Sequence, residues 1–228
     1  PAELGIVGDA RLTAGRLAGQ LGAVSVDPDY LALASRVRGE LAAEIERRIG
    51  PDHARICDAI DRLAPRERIV VCDATMTGTT WGNLRLPVRD AREFLYPTSL
   101  AIGPALPLGI GAAIGSGKRT IVVHGDGGIM LSLGELATAI EAGAPVTVLV
   151  FNSQGYGSLK YLQDQGGVPH VAVDLHTPDF TALGKAMGLE SRHAGDVAEF
   201  EQAFAAAMAS DGPNLIEVDI TGMAPLQM

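Results

Sequence analysis

The chain has 228 residues, 47% of them hydrophobic and 20% charged, the profile of an ordinary globular protein with enough apolar sequence for one large core. Its 18 basic and 27 acidic residues leave a net charge of -9, which repels polyphosphate backbones and anionic bilayers and argues against nucleic acid or membranes as partners. No apolar run reaches the length of a membrane span and no basic-then-apolar leader opens the chain. Cys57 and Cys72 lack metal-ligand spacing and read as small core residues in a reducing, cytoplasmic setting.

Pro1 is not an initiator methionine, and Leu4 to Asp9 reads as a strand with nothing before it to pair against, so a truncated or cleaved chain is expected. A helix is predicted from about Ala10 to Leu21. A second opens with Asp27 as N-cap and Pro28 at its first helical position, and Gly50-Pro51 stops it. It carries an apolar stripe through Tyr30, Ala34, Val37, Leu41, Ile45 and Ile49. Residues 1–50 therefore read as a remnant plus a linker helix, and 51–228 as the main domain.

From residue 51 helices and strands alternate, which predicts an α/β fold: a mostly parallel, doubly wound sheet with helices on both faces. Strands are expected near Ile69 to Cys72, Thr120 to His124, Val146 to Phe151, Leu189 to His193 and Asn214 to Ile220. Their continuous Val/Ile runs imply burial on both sides. Helices are expected near His53 to Leu63, Pro104 to Ile114, Leu133 to Ala142, Phe180 to Met187 and Ala198 to Ala209. Ser132 with Glu135 and Asp196 with Glu199 have the capping-box spacing, and Thr177-Pro178 reads as an N-cap followed by proline.

Most of the chemistry lies between Gly125 and Ser153. An aspartate flanked by glycines at the end of a buried strand lets backbone N–H groups approach phosphate oxygens while its carboxylate holds a hard cation. Alone, such a turn is more often structural. Here 24 residues separate Gly127 from Asn152, enough for one helix and one strand that return the chain to the same sheet edge, where open α/β sheets bind ligands. Gly128 extends the turn. A second stretch, Leu100-Ala101-Ile102-Gly103-Pro104-Ala105-Leu106-Pro107, is rich in glycine and proline but does not fit the dinucleotide fingerprint. A third, Asp73 to Trp81, offers threonine hydroxyls and free N–H groups after a strand, though such a loop is often only a capped helix start. The five histidines, including His124 beside the turn, show no ligand spacing.

In this order the motifs resemble those of thiamine-diphosphate-dependent enzymes, in particular the acetolactate synthase and benzoylformate decarboxylase branch. The resemblance covers roughly residues 51–220 as the diphosphate-binding domain, and Gly5 to Leu21 resembles the end of the family's middle domain. It implies thiamine diphosphate and Mg²⁺ as cofactors, with Asp126 and the residue at Ser153 as side-chain metal ligands and the Gly155 carbonyl as a third. The family usually has Asn where this chain has Ser153, so Asn152 and Ser153 both stand as the second ligand. Leu100, through its carbonyl, and Ile102 would hold the aminopyrimidine ring and the bent cofactor. Thr75, Met76 and Thr77 would contact the diphosphate.

Gly155 to Leu162 is similar to the Tyr-Gly-small-Leu-basic-aromatic stretch of benzoylformate decarboxylase. This brings Tyr156 and Gly157 to the cofactor and leaves Leu159 and Leu162 either lining a substrate pocket or packed in helix core. Pyruvate decarboxylases carry a catalytic Glu at the position of Leu159. The family's cofactor carries the difficult step on a 2-oxo acid, and its activating Glu comes from a separate N-terminal pyrimidine-binding domain or subunit, so no activity is expected from this chain alone. A homodimer or tetramer is implied. Two alternatives to a lyase or synthase are a non-catalytic assembly module and a nucleotide-phosphate-binding α/β domain.

Overall fold

The computed structural model describes residues 3–22 and 25–227. The chain divides into two compact units, Pro1–Leu41 and Ala42–Met228. In the first, α1 (Ala10–Gln20) starts at Asp9, whose side chain accepts from the Leu12 N–H. The expected strand over residues 4–9 does not form. Leu4, Ile6 and Val7 are exposed, and no strand among the described residues supplies the backbone partners that extended chain needs. Helix α2 (Pro28–Leu63) opens as expected on Asp27, which accepts from the Asp29 N–H at 2.9 Å. Gly50 adopts φ 74° and breaks the helical run, and Pro51 begins a further stretch of helix. The pair makes a kink rather than an end, because glycine takes the positive φ and proline needs no N–H partner in a first turn.

The second unit is built on one six-stranded, wholly parallel sheet. Its strands are β1 (Ile69–Cys72), β2 (Phe94–Leu95), β3 (Thr120–Gly125), β4 (Val146–Asn152), β5 (Glu190–Ala194) and β6 (Asn214–Asp219), in the spatial order β2-β1-β3-β4-β6-β5. Alternation along the strands splits the apolar residues between two cores. Val70, Cys72, Ile121, Val123, Leu149, Phe151, Ile216 and Val218 face the second half of α2, Trp81 and α8 (Val197–Met208). Ile69, Val71, Val122, Val148, Val150 and Leu215 face α3 (Ala105–Ser116), α5 (Glu135–Glu141) and α7 (Phe180–Met187). A strand buried on both faces must be apolar at nearly every position, which explains the continuous Val/Ile runs. Both cysteines are free and buried.

The capping details depart from expectation in two places. Ser132 Oγ is buried without a hydrogen-bond partner, and the Glu135 N–H bonds the Ser132 carbonyl instead, so no capping box forms there. Helix α7 is capped by Asp179, which accepts from the Ala182 N–H at 2.7 Å, so Thr177-Pro178 lies outside it. Asp196 does cap α8, accepting from Glu199 N–H at 2.8 Å, while the Glu199 carboxylate reaches back to Gly195. No helix among the described residues is long and apolar enough to cross a membrane.

Candidate functional site

Because every strand is parallel, all carboxyl ends lie on one edge of the sheet, and the segments leaving β1, β2, β3, β4 and β6 meet there. After β1, the chain turns through Asp73 into a short π-helical turn, Gly78–Gly82. Thr79 and Thr80 donate their hydroxyls to carbonyls of the same turn, at Thr75 and Met76, which leaves Thr75 and Thr77 facing the edge, 3.3 Å apart through their Oγ1 atoms. A Cβ on Gly78 would run into the Asp73 carbonyl, so this turn tolerates only glycine. Trp81 closes it from behind by donating Nε1–H to His53 Nδ1 at 3.2 Å.

After β3, Asp126 opens α4 (Asp126–Ile129) and is only 2% exposed. Its Oδ1 accepts from Gly127 N–H at 2.9 Å. Its Oδ2 accepts from Ser153 N–H at 3.2 Å and Gly155 N–H at 2.8 Å, which locks the turn after β3 onto the one after β4. Burial pushes the Asp126 carboxyl above its ordinary pKa against the opposing pull of these N–H groups. Among the described residues it has no basic partner. Gly127 leaves room for Tyr156, since a Cβ there would lie 2.6 Å from its ring. Ser153 Oγ donates to the Gly155 carbonyl at 3.2 Å, so hydroxyl, carbonyl and carboxylate converge. Tyr156 N–H in turn donates to Val173 O at 2.9 Å.

The segment after β2 supplies Ile102, which lies against the clamp through Gly103: a Cβ on Gly103 would lie 2.9 Å from Leu131 Cβ. Together these turns enclose a cavity of about 170 Å³. Thr75, Met76, Thr77 and Ile102 form part of its wall, Gly125 to Gly128 another, and Ser153, Gly155, Tyr156, Gly157 and Leu159 a third. Three of the expected residues lie elsewhere. Leu100 is 67% exposed, with φ 53°, and does not line the cavity. Leu162, on α6 (Gly157–Gln165), is likewise exposed and absent from the lining. Asn152 donates its amide to Glu217 Oε1 at 2.9 Å and accepts from the Gln154 N–H at 3.0 Å, so its polar atoms are committed away from the cavity.

Leu131, Phe151 and Ile220, which belong to none of the motifs, also line the cavity. Phe151 and Ile220 stand where β4 ends and just past β6, and that shared strand-end position was the available signal. The Asp73 side chain likewise carries a role that its motif does not announce: buried and outside the cavity lining, it accepts from the N–H groups of Gly103 and Ala105. Buried His124 sits beside it, with Nδ1 at 3.5 Å from Asp73 Oδ2.

The donor set fits a hard cation shared with a phosphate. Among the described residues no three His, Cys, Asp or Glu side chains cluster to cage a metal. One buried carboxylate without a basic partner, a hydroxyl and a carbonyl suit Mg²⁺, which usually takes one or two carboxylates and fills its octahedron with phosphate oxygens and water.

Residues 76–218 match the family described as "Thiamine pyrophosphate enzyme, C-terminal TPP binding domain". The chain belongs to this family. It is 34% identical, over 96% of its length, to a Pseudomonas aeruginosa protein named "Probable 2-ketoarginine decarboxylase AruI", of which it covers 39%. It is 30% identical, over 75% of its length, to the benzoylformate decarboxylase of the same organism, of which it covers 32%. A solved thiamine diphosphate-dependent 4-hydroxybenzoylformate decarboxylase of Rhodococcus jostii RHA1 matches 75% of this chain with a TM-score of 0.68 and 26% identity, and the chain covers 32% of it. The chain thus spans only 32% to 39% of the length of these relatives. Its parallel sheet with helices on both faces is the thiamine-diphosphate-binding α/β fold of that structure.

Proposed function

We propose that this chain is the diphosphate-holding part of a thiamine-diphosphate-dependent lyase or synthase acting on 2-oxo acids, with Mg²⁺ held by Asp126, the Ser153 hydroxyl and the Gly155 carbonyl. The observation that carries the reading is that those three groups meet in the lining of one cavity, which also holds the Thr75 and Thr77 hydroxyls and the apolar side chains of Met76, Ile102 and Leu131. Thiamine diphosphate has the matching halves, a diphosphate that shares a cation and an organic portion for Met76, Ile102 and Leu131. When bound it supplies the electron sink for breaking or making a carbon–carbon bond beside a carbonyl. This chain's residues bind, orient and exclude water. Thr75 and Thr77 offer hydroxyls to the diphosphate, the buried Asp126 gains a counter-charge, and Leu159 and Tyr156 give the substrate end an apolar surface.

The names of the relatives support a decarboxylase acting on a 2-oxo acid, and the resemblance of the motifs to acetolactate synthase keeps a synthase as the other form of the same reading. In this proposal residues 51–228 form the diphosphate domain and 1–50 the end of a middle domain with its linker. The activating Glu comes from a pyrimidine-binding domain, contributed across a homodimer or tetramer. The test is a calorimetric titration of the full-length protein with thiamine diphosphate and Mg²⁺. Saturable binding is expected, and Asp126→Ala is expected to remove it; unchanged binding in that variant would sink the assignment.

A further inference from the structure

Asp73 lies at the crossing of the three turns that build the cavity, yet it does not line the cavity. Its side chain is fully buried at the end of β1. Both carboxylate oxygens accept from the Gly103 N–H, at 3.0 and 2.9 Å, and Oδ1 also accepts from Ala105 N–H at 3.3 Å. Those two N–H groups flank Pro104 at the start of α3, just after Ile102. Asp73 also fixes its own turn, because its carbonyl accepts from Thr75 N–H at 2.8 Å. It packs under the clamp as well, since a Cβ on Gly128 would lie 2.6 Å from Asp73 Oδ2 and 3.0 Å from His124 Nδ1.

We infer that Asp73 is a positioning residue that sets where the Ile102 segment stands over the cavity, and so sets affinity for the organic half of the cofactor rather than for its diphosphate. This rests on the proposed function. The distinction follows from which atoms each aspartate holds. The Asp126 carboxylate ties together the polar groups of the clamp, and the Asp73 carboxylate ties down the segment whose cavity-facing side chain, Ile102, is apolar. Ile102 is 45% exposed and makes its contact with the cavity from a segment containing Gly103 at φ 107° and Leu100 at φ 53°. A segment with two such backbone positions needs an external anchor to keep one conformation. Loss of that anchor leaves two buried N–H groups without an acceptor, and the segment relaxes away from the cavity.

The experiment compares two ligands. Thiamine diphosphate and inorganic diphosphate, each with Mg²⁺, are titrated into the full-length protein and into its Asp73→Ala and Asp73→Asn variants. Asp73→Ala is expected to weaken thiamine diphosphate about tenfold or more while inorganic diphosphate stays within about twofold; Asp73→Asn, which keeps one acceptor, is expected to recover most of the loss. Equal weakening of both ligands, or unchanged thiamine diphosphate binding, overturns the inference. If the wild type binds no thiamine diphosphate, the proposed function falls and this inference with it. Should the alanine variant not fold, amide hydrogen exchange on Asp73→Ser, whose shorter side chain cannot reach both N–H groups, decides. Gly103 and Ala105 must exchange faster while Ser153 and Gly155, held by Asp126, keep their rates; unchanged exchange at Gly103 and Ala105 overturns the inference.

Discussion

Asp73 and Asp126 end neighbouring parallel strands, both are buried, and both spend their oxygens on backbone N–H groups. Their surroundings separate them. Asp126 stands in the cavity wall without a basic partner, so its charge is costly until a cation arrives; Asp73 stands one layer below, enclosed by Gly103, Ala105, Gly128 and His124. The same residue type at the same edge of one sheet therefore performs two tasks, and depth below the cavity decides which. Deleting the upper carboxylate should cost ligand. Deleting the lower should cost the shape that receives the ligand.

The strongest way to break the lower half of this arrangement is Gly78→Ala. An added Cβ meets the Asp73 carbonyl and lies 3.2 Å from its carbonyl carbon, and backbone cannot swing aside as a side chain can. The π-helical turn must then unwind, and a destabilisation of about 3 kcal/mol is expected from urea unfolding. A loss below about 1 kcal/mol would mean that the turn after β1 is softer than its packing indicates.

A smaller effect tests the support behind that turn. His53 is buried against Trp81 and Phe151, with ring centroids 6.4 Å from each, and burial pushes its pKa from 6.5 down to about 4, against the upward pull of Asp52. The folded state therefore disfavours the protonated ring. Its full contribution is present above pH 6.5, where the unfolded chain is also neutral, and is lost as pH falls from 6.5 through about 4. The shift corresponds to roughly 3 kcal/mol across that window. Stability measured by chemical unfolding at pH 7 and pH 4 should fall more steeply for the wild type than for His53→Gln, and parallel curves would remove His53 from the account.

Much of this arrangement was legible in the sequence because it follows local rules. Continuous Val/Ile runs mark strands buried on both faces, and the spacing from Asp126 to Ser153 follows from one crossover between adjacent parallel strands. What was not legible depends on partners far away in the chain. Asn152 is drawn from the cavity by Glu217, 65 positions later, and no local feature distinguishes it from Ser153. Asp73 reads as the start of a turn until Gly103, 30 positions on, is brought to it by the pairing of β1 with β2 and β3. Strand β2 escaped because two residues carry no period, and Leu4 to Asp9 misled because alternation and apolarity describe a strand only where a neighbour completes it.

The finest test concerns Leu100, three residues before the anchored Gly103 and outside the cavity lining. Its φ of 53° lies in the left-handed region that costs a branched side chain about 1 kcal/mol or more, and its exposed side chain gains little in return. Glycine removes that strain but adds freedom to the unfolded chain, which offsets roughly half of the gain. Leu100→Gly is therefore expected to stabilise by about 0.5 kcal/mol and to leave thiamine diphosphate binding within about twofold, because the backbone and the Asp73 anchor are unchanged. Stabilisation accompanied by weaker binding would show instead that the strained residue, and not Asp73, holds Ile102 in place.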